Sequence, residues 1–147
     1  MLALVVILAV GVGGSAASAE TNAISKPNGD FGEFVSVGTG TDRDGDGNSR
    51  TVTHGDTVIY TYIVYDRSGT SQAIEIEWLL DVPGTDLDQT GTKTVMLEPF
   101  GSYREVTGGF KVQKKVTPLG EYTFTVTARS GTETATTSET FTVHAMK

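Results

Sequence analysis

The sequence predicts an all-β fold, an antiparallel β-sandwich of about seven strands. Three observations predict it. Short runs of β-branched and aromatic residues recur at roughly 8–12-residue spacings, separated by Gly, Asp and Pro. Several runs alternate apolar and polar positions, the period of two that sends side chains to opposite faces of a strand. No stretch carries the longer apolar period of an amphipathic helix. Two sheets packed face to face let each strand bury one face without helices.

The first segment is an address. Met1 to Ala19 carries no charge, Leu2 to Val12 is almost unbroken apolar sequence, and Ala17-Ser18-Ala19 precedes Glu20. A short apolar stretch ending in small-x-small reads as a secretory signal cleaved after Ala19. It is short for a membrane span, which needs roughly 20 apolar residues. A retained membrane anchor is the alternative, since no Lys or Arg precedes the run; a pilin-type assembly helix is another. Gly11, Gly13 and Gly14 would weaken either helix. Each reading places the remainder outside the cytoplasm, extracellular or at the cell surface. Glu20 to Asp30, with Pro27-Asn28-Gly29, reads as a polar tail. The sandwich is expected over residues 31–147.

The strands follow in order. Phe31 to Val37 is the first. Thr57 to Tyr65 is apolar or aromatic on both faces, as a central strand covered on each side would be. Ala73 to Leu80 points Ile74, Ile76, Trp78 and Leu80 one way and Glu75 and Glu77 the other. Thr92 to Leu97 ends at Pro99. Tyr103 to Val116 is long, with a break or bulge at Gly108-Gly109. Glu121 to Arg129 alternates Tyr122, Phe124, Val126 and Ala128 against threonines; Ser130-Gly131 turns the chain, and Thr134 to His144 returns.

Charge and composition exclude several function classes. Lys and Arg number 11 against 18 Asp and Glu, a net charge of −7. A nucleic-acid binder would need clustered cations for the phosphate backbone. With no cysteine there is no disulfide framework, thiolate zinc site or cysteine nucleophile, and two histidines are too few for a multi-histidine metal centre.

The sharpest chemical signal is Asp42-Arg43-Asp44-Gly45-Asp46-Gly47-Asn48. Carboxylates at alternate positions, with a glycine for the tight turn, can wrap oxygens around a hard cation. The expectation is a structural calcium loop with Asp42, Asp44, Asp46, Asn48 and the more distant Asp56 as ligands. It is not an EF-hand, because Thr53 stands where the bidentate carboxylate belongs. A solvated acidic turn is the alternative. Glu75 and Glu77 lie on the polar side of an alternating strand and read as a solvated face, not a hydrolytic pair across a cleft. Trp78 shares the parity of the core residues and is expected to fill it. His54 and His144 each stand alone in the sequence, and Lys111, Lys114 and Lys115 read as edge protection. Nothing here composes a catalytic set, so no enzymatic activity is expected.

The order of motifs resembles the immunoglobulin-like repeats of surface proteins, in particular the CARDB and NEW3-type domains. The resemblance is carried by Gly55-Asp56-Thr57-Val58, Tyr60 to Tyr65, Asp66-Arg67-Ser68-Gly69, Ile74 to Leu80, Leu97 to Ser102, and Gly120-Glu121-Tyr122 through Ala128. It departs at Phe100, an insertion in the Pro-Gly turn, and at Asp66, where Asn is frequent. It implies an immunoglobulin-like sandwich with a structural, spacer or adhesive role and no catalytic residues. Gly120-x-Tyr122 looks like the tyrosine corner of such folds. The expected partners are proteins, or further copies of the chain joined through edge strands. One form of this is a filament built by donating residues 20–37 to a neighbour. A carbohydrate-binding module, with polysaccharide as ligand, is the alternative. Nucleic acid is not expected, and membrane only through an uncleaved N-terminal segment.

Overall fold

The computed structural model describes residues 32–43 and 51–145. Strand-forming residues dominate both stretches. The elements are β1 (Val35–Arg43), β2 (Thr51–Val52), β3 (Thr57–Asp66), β4 (Gln72–Asp81), β5 (Gln89–Leu97), β6 (Ser102–Lys111), β7 (Gly120–Ser130) and β8 (Glu133–Val143). They form two sheets, ordered β1-β3-β6 and β2-β8-β7-β4-β5. Every pairing between the seven long strands is antiparallel. Only the two-residue β2 runs parallel to its neighbour, with Thr51 opposite Thr142 and Val52 opposite Val143. The chain therefore leaves the first sheet after β1 and enters the second at β2. The fold is the expected immunoglobulin-like sandwich of seven principal strands.

The core follows from side-chain alternation. Val58, Tyr60, Tyr62 and Val64 of β3 face Ile74, Ile76, Phe124 and Phe141 of the second sheet, all buried. Each large side chain taken out of water contributes roughly 1.5–3 kcal/mol. Tyr122 and Phe141 stack at 5.0 Å between centroids, and Tyr60 lies 5.4 Å from Phe124. Thr61 and Ile63, on the opposite face of β3, are buried too, as the apolar character of both faces implies. Trp78 differs from expectation: it is half-buried at the core's margin rather than central. Its indole lies over Gly91, the residue paired with it on β5, and any Cβ there would overlap the ring.

Three strands differ from the sequence reading by three residues or more. β1 begins at Val35 and continues to Arg43, because backbone pairing along the full length of β3 carries it through Gly38 and Gly40. β5 starts three residues early, at Gln89. β6 stops at Lys111, and its irregularity lies at Thr107, which the register with β3 skips, immediately before Gly108-Gly109. The hairpin turn between β7 and β8 falls at Gly131, whose φ of 60° suits glycine.

Strand directions sort the loops into two ends. The near end gathers residues 32–34, 67–71, 98–101 and 131–132, and the far end gathers 53–56, 82–88, 112–119 and 144–145. At roughly 3.3 Å per residue, ten-residue strands set the ends about 33 Å apart.

Candidate functional site

The far end carries an apolar pocket of about 490 Å³, within the ~300–1,000 Å³ of ligand sites. Pro83, Val116, Pro118 and Leu119 supply apolar wall. His54, Lys114, Lys115 and His144 supply the basic groups, and among the described residues no carboxylate lines it. Backbone bonds bring these distant residues together. Gly55 N donates to Val112 O at 2.9 Å and Val112 N to Asp56 O at 2.8 Å, docking the 53–56 turn on the end of β6. His144 N donates to Val52 O at 2.9 Å. The loop with both lysines closes on itself: Gln113 N donates to Thr117 Oγ1 at 2.9 Å and Thr117 N to Gln113 O at 3.0 Å. That closure holds Lys115 at φ 68°, a left-handed conformation that non-glycine residues seldom adopt. Such a pocket can take an apolar group with negative charge beside it.

The wall is anchored from below. Tyr122 Oη donates to Pro118 O at 2.9 Å, the tyrosine corner expected from Gly120-x-Tyr122. Burial pushes the Tyr122 phenol up to about 12. Burial, then the nearby Tyr122, holds Tyr60 well above the usual tyrosine range. The Tyr60 hydroxyl has no hydrogen-bond partner, and Tyr60 lines a cavity of about 30 Å³ that shares Val116 and Thr117 with the pocket.

Of the residues expected to bind calcium, Asp44, Asp46 and Asn48 lie outside the described residues, and Asp42 is described only as backbone of β1. Asp56 is at the far end, and its Oδ2 accepts Thr53 N at 2.8 Å and Thr53 Oγ1 at 3.4 Å, so this carboxylate braces its own turn. Among the described residues no group of three His, Asp or Glu is disposed to hold a metal ion. The described part of the site thus contributes one carboxylate of the proposed set.

The near end is tied by carboxylates. Glu133 accepts the backbone N–H groups of Glu33, Phe34 (2.7 Å) and Val35 (3.0 Å), fixing the start of β1 to the start of β8. Asp66, fully buried, accepts Ser68 N at 2.7 Å and Gln72 Nε2 on Oδ1, while its Oδ2 has no partner. Gln72 also accepts from Ser130 Oγ and donates to Phe34 O at 3.1 Å. Apolar rings remain outside this network. Phe34 is 45% exposed and Phe100 58%. Phe100 sits at φ 57° in a turn closed by Gly101 N to Glu98 O at 2.8 Å, with Pro99 before it. A positive φ at that turn position is normally supplied by Gly or Asn.

Between the ends, polar groups serve structure. Arg129 Nη1 bonds Glu77 at 3.0 Å and lies 3.6 Å from Glu75, so both glutamates are engaged on the exposed outer face of the second sheet. Lys93 points inward from edge strand β5 and bonds Tyr103 Oη, with Glu105 at 3.5 Å. Glu105 also accepts from Tyr62 Oη. The bond to Tyr103 and the Glu105 charge raise the Lys93 pKa. Burial, then the Glu105 bond, raises that of Tyr62. An inward lysine on an edge strand also opposes edge-to-edge pairing. Sequence reading missed this clasp, the Glu133 tie and the shared pocket of the two histidines. Their partners are far apart along the chain, and only the parity of Lys93 with Val95 offered a signal.

Comparison with known proteins defines the class. No protein-family model matches the chain, and no curated protein matches it in sequence. The fold is similar to the CARDB domain of a Pyrococcus furiosus protein, solved in complex with di-metal ions. The TM-score is 0.50 and the identity 16%, over 76% of this chain and 90% of that domain. Weaker likenesses join it to two longer proteins. One is the alkylpurine DNA glycosylase AlkC of Pseudomonas fluorescens (TM-score 0.49, 12% identity, 78% of this chain and 31% of that one). The other is the sporulation control protein Spo0M of Bacillus subtilis (TM-score 0.47, 14% identity, 77% and 50%). The chain thus has an immunoglobulin-like sandwich fold similar to that of the CARDB domain, and it spans only a third to a half of those two longer proteins.

Proposed function

We propose that this protein is a secreted or surface-held, non-catalytic module with a structural or adhesive role. One observation carries the reading. The side chains best suited to chemistry on the strands are engaged in packing or ion pairs, Trp78 over Gly91 and Glu75 and Glu77 with Arg129. Most of the exposed large apolar side chains (Phe34, Phe100, Leu87 and Leu119, with Met96 and Val106 on strands) and both unusual backbone positions stand on loops at the two ends, where a module meets its neighbours. Self-association by strand donation is part of the proposal for residues 20–31, since Glu33 and Phe34 are bonded to Glu133 of their own chain. Val35–Val37, the rest of the segment expected to be donated, pair with β3 of their own chain. The polysaccharide alternative needs aromatics aligned on a sheet face, and the exposed Phe34 and Phe100 stand on loops at the near end instead.

Expression of the full chain with an envelope-fractionation assay tests the location. The mature N-terminus is expected at Glu20; a cytoplasmic protein beginning at Met1 overturns export. Hydrolysis of a glycoside panel that disappears in Glu75→Gln or Glu77→Gln overturns the non-catalytic reading. Calcium at Asp42, Asp44, Asp46, Asn48 and Asp56 is the remaining part. Calcium addition is expected to raise the melting temperature through RT ln(1 + [L]/Kd), and Asp44→Asn with Asp46→Asn to abolish the rise. No rise in the unaltered chain removes calcium from the proposal.

A further inference from the structure

Among the described residues two buried side-chain polar atoms lack a hydrogen-bond partner, Tyr60 Oη and Asp66 Oδ2. Buried polar groups in folded proteins are nearly always bonded, so each exception calls for a reason. Tyr60 is 3% exposed on the inner face of β3, and it lines a cavity of about 30 Å³. The cavity walls are largely apolar, with Leu80 and Val82 on one side and Phe110, Val116 and Tyr122 on the other. Tyr122 directs its own hydroxyl to Pro118 O, so it does not satisfy Tyr60. Burial, then the nearby Tyr122, keeps the Tyr60 phenol protonated, so the unused group is a donor. Gln113, Val116 and Thr117 border both this cavity and the far-end pocket of about 490 Å³. The charges of that end do not select an ion. Lys114 and Lys115 are offset by Asp56, Asp86 and Asp88 on the neighbouring loops.

We propose that the cavity and the pocket together bind a small, neutral, apolar molecule with one carbonyl group, a ketone or an ester, whose carbonyl oxygen accepts from Tyr60 Oη. This goes beyond the structural role above and does not depend on it. The order of parts follows from size. A space of about 30 Å³ equals the share of one water in the liquid, so it takes the carbonyl alone, and the apolar body lies past Val116 and Thr117 in the pocket. The chemistry follows from the walls. A charged head would lose its water against apolar side chains and gain no counter-ion in the cavity. A hydrocarbon of the same shape would fill the pocket and leave the hydroxyl unpaired. A single buried water bonded to Tyr60 is the competing occupant.

Ligand-detected NMR titration of the purified full chain with acetophenone, 2-heptanone and isopropylbenzene tests this. The last has the shape of acetophenone without its carbonyl oxygen. Both ketones are expected to bind saturably, and isopropylbenzene about tenfold more weakly than acetophenone. Tyr60→Phe keeps the ring and removes only the donor. It is expected to weaken acetophenone about tenfold and leave isopropylbenzene unchanged. Its melting temperature should hold or rise, because the hydroxyl has no partner to lose. Leu119→Asp places a charge in the pocket wall at a position 58% exposed, where the fold tolerates it. It is expected to weaken all three ligands alike, which separates the pocket from the hydroxyl. The proposal is overturned by ketones that do not bind, by equal affinity for acetophenone and isopropylbenzene, or by either variant binding acetophenone as the unaltered chain does. A melting temperature lowered by several degrees in Tyr60→Phe also overturns it, since the hydroxyl would then be bonded in the ligand-free protein. Export and lack of catalysis are untouched by any of these results, so the broader reading stands or falls separately.

Discussion

At the near end carboxylates close the sandwich: Glu133 gathers three backbone N–H groups, and Asp66 holds Ser68 and Gln72. At the far end a phenol and aromatic rings do most of the closing: Tyr122 bonds Pro118 O, contacts among the Tyr60, Phe110, Tyr122 and Phe141 rings have centroids 5.0–6.4 Å apart, and carboxylates brace only single loops, Asp56 at Thr53 N and Asp88 at Val82 N. The difference has a physical origin. The near end brings together the start of β1 and the ends of β3 and β7, whose exposed amides need acceptors. The far end joins longer loops over the cluster of aromatic rings, where burying rings gains more than bonding amides. One fold thus ends in two chemistries, and perturbations should separate them.

Alkaline pH should have the largest effect, and it acts on the phenols. The folded Tyr122 ionises near 12, against about 10 for an unfolded tyrosine. Between those values the unfolded chain has released a proton that the folded chain retains. Stability is therefore complete below about pH 10 and falls as pH rises toward 12. Each unit of difference is about 1.4 kcal/mol, so Tyr122 alone amounts to ~2–3 kcal/mol by pH 12. Tyr60 and Tyr62, raised further, add the same sign. Urea denaturation at stepped pH measures the slope, and Tyr122→Phe should flatten it. A slope indifferent to that substitution would show that Tyr122 ionises as freely in the folded protein as in the unfolded chain.

Glu133→Ala should come next, and it breaks the other end. Three N–H groups lose one shared acceptor, and water reaches those of Glu33 and Phe34 more easily than that of Val35. The expected loss is about 2 kcal/mol, with Glu133→Gln costing less. Hydrogen exchange should quicken at the start of β1 and leave Val112 and His144 protected. Equal quickening at both ends would show that the two closures are not separable.

These contrasts were legible to unequal degrees. Parity within a strand announced Ile74, Ile76, Phe124 and Val126 as core, and the spacing Gly120-x-Tyr122 announced the tyrosine corner, because both are local. The later part of β1 was not legible: Gly38 and Gly40 have no side chains to show parity, and their strand exists because β3 lies beside it. The far-end pocket was hidden for the same reason. His54 looks solitary until Gly55 N finds Val112 O, a pairing that no window along the chain contains. Trp78 had the right parity but the wrong depth, since Gly91 opposite it leaves space at the sheet margin.

Asp66→Asn should act in the opposite direction, stabilising the near end by about 1 kcal/mol. Its Oδ1 can keep both bonds, to Ser68 N and Gln72 Nε2, while a neutral amide replaces a fully buried carboxyl oxygen without a partner. A rise in denaturation midpoint at unchanged slope is the expected result. A fall would mean that Oδ2 serves a contact made only when another molecule binds there.

Phe100→Gly should have the smallest effect on the isolated fold. A left-handed non-glycine residue costs roughly 1–2 kcal/mol, and glycine returns about 0.5–1 kcal/mol of that through the entropy of the unfolded chain. The net gain is about 0.5 kcal/mol, and the exposed ring forfeits little burial. Lys115→Gly is the counterpart at the far end, where φ is 68°. Thermal melts of the two variants, at concentrations low enough to keep the chain monomeric, should show the same small rise. A fall for Phe100→Gly alone would place its ring in a contact within its own chain, with Gly69, whose Cβ position lies 4.0 Å from Phe100 Cζ, as the nearest candidate. A rise at both ends would mean that strain is retained in the folded monomer without stabilising it, so its reason must lie in what each end meets.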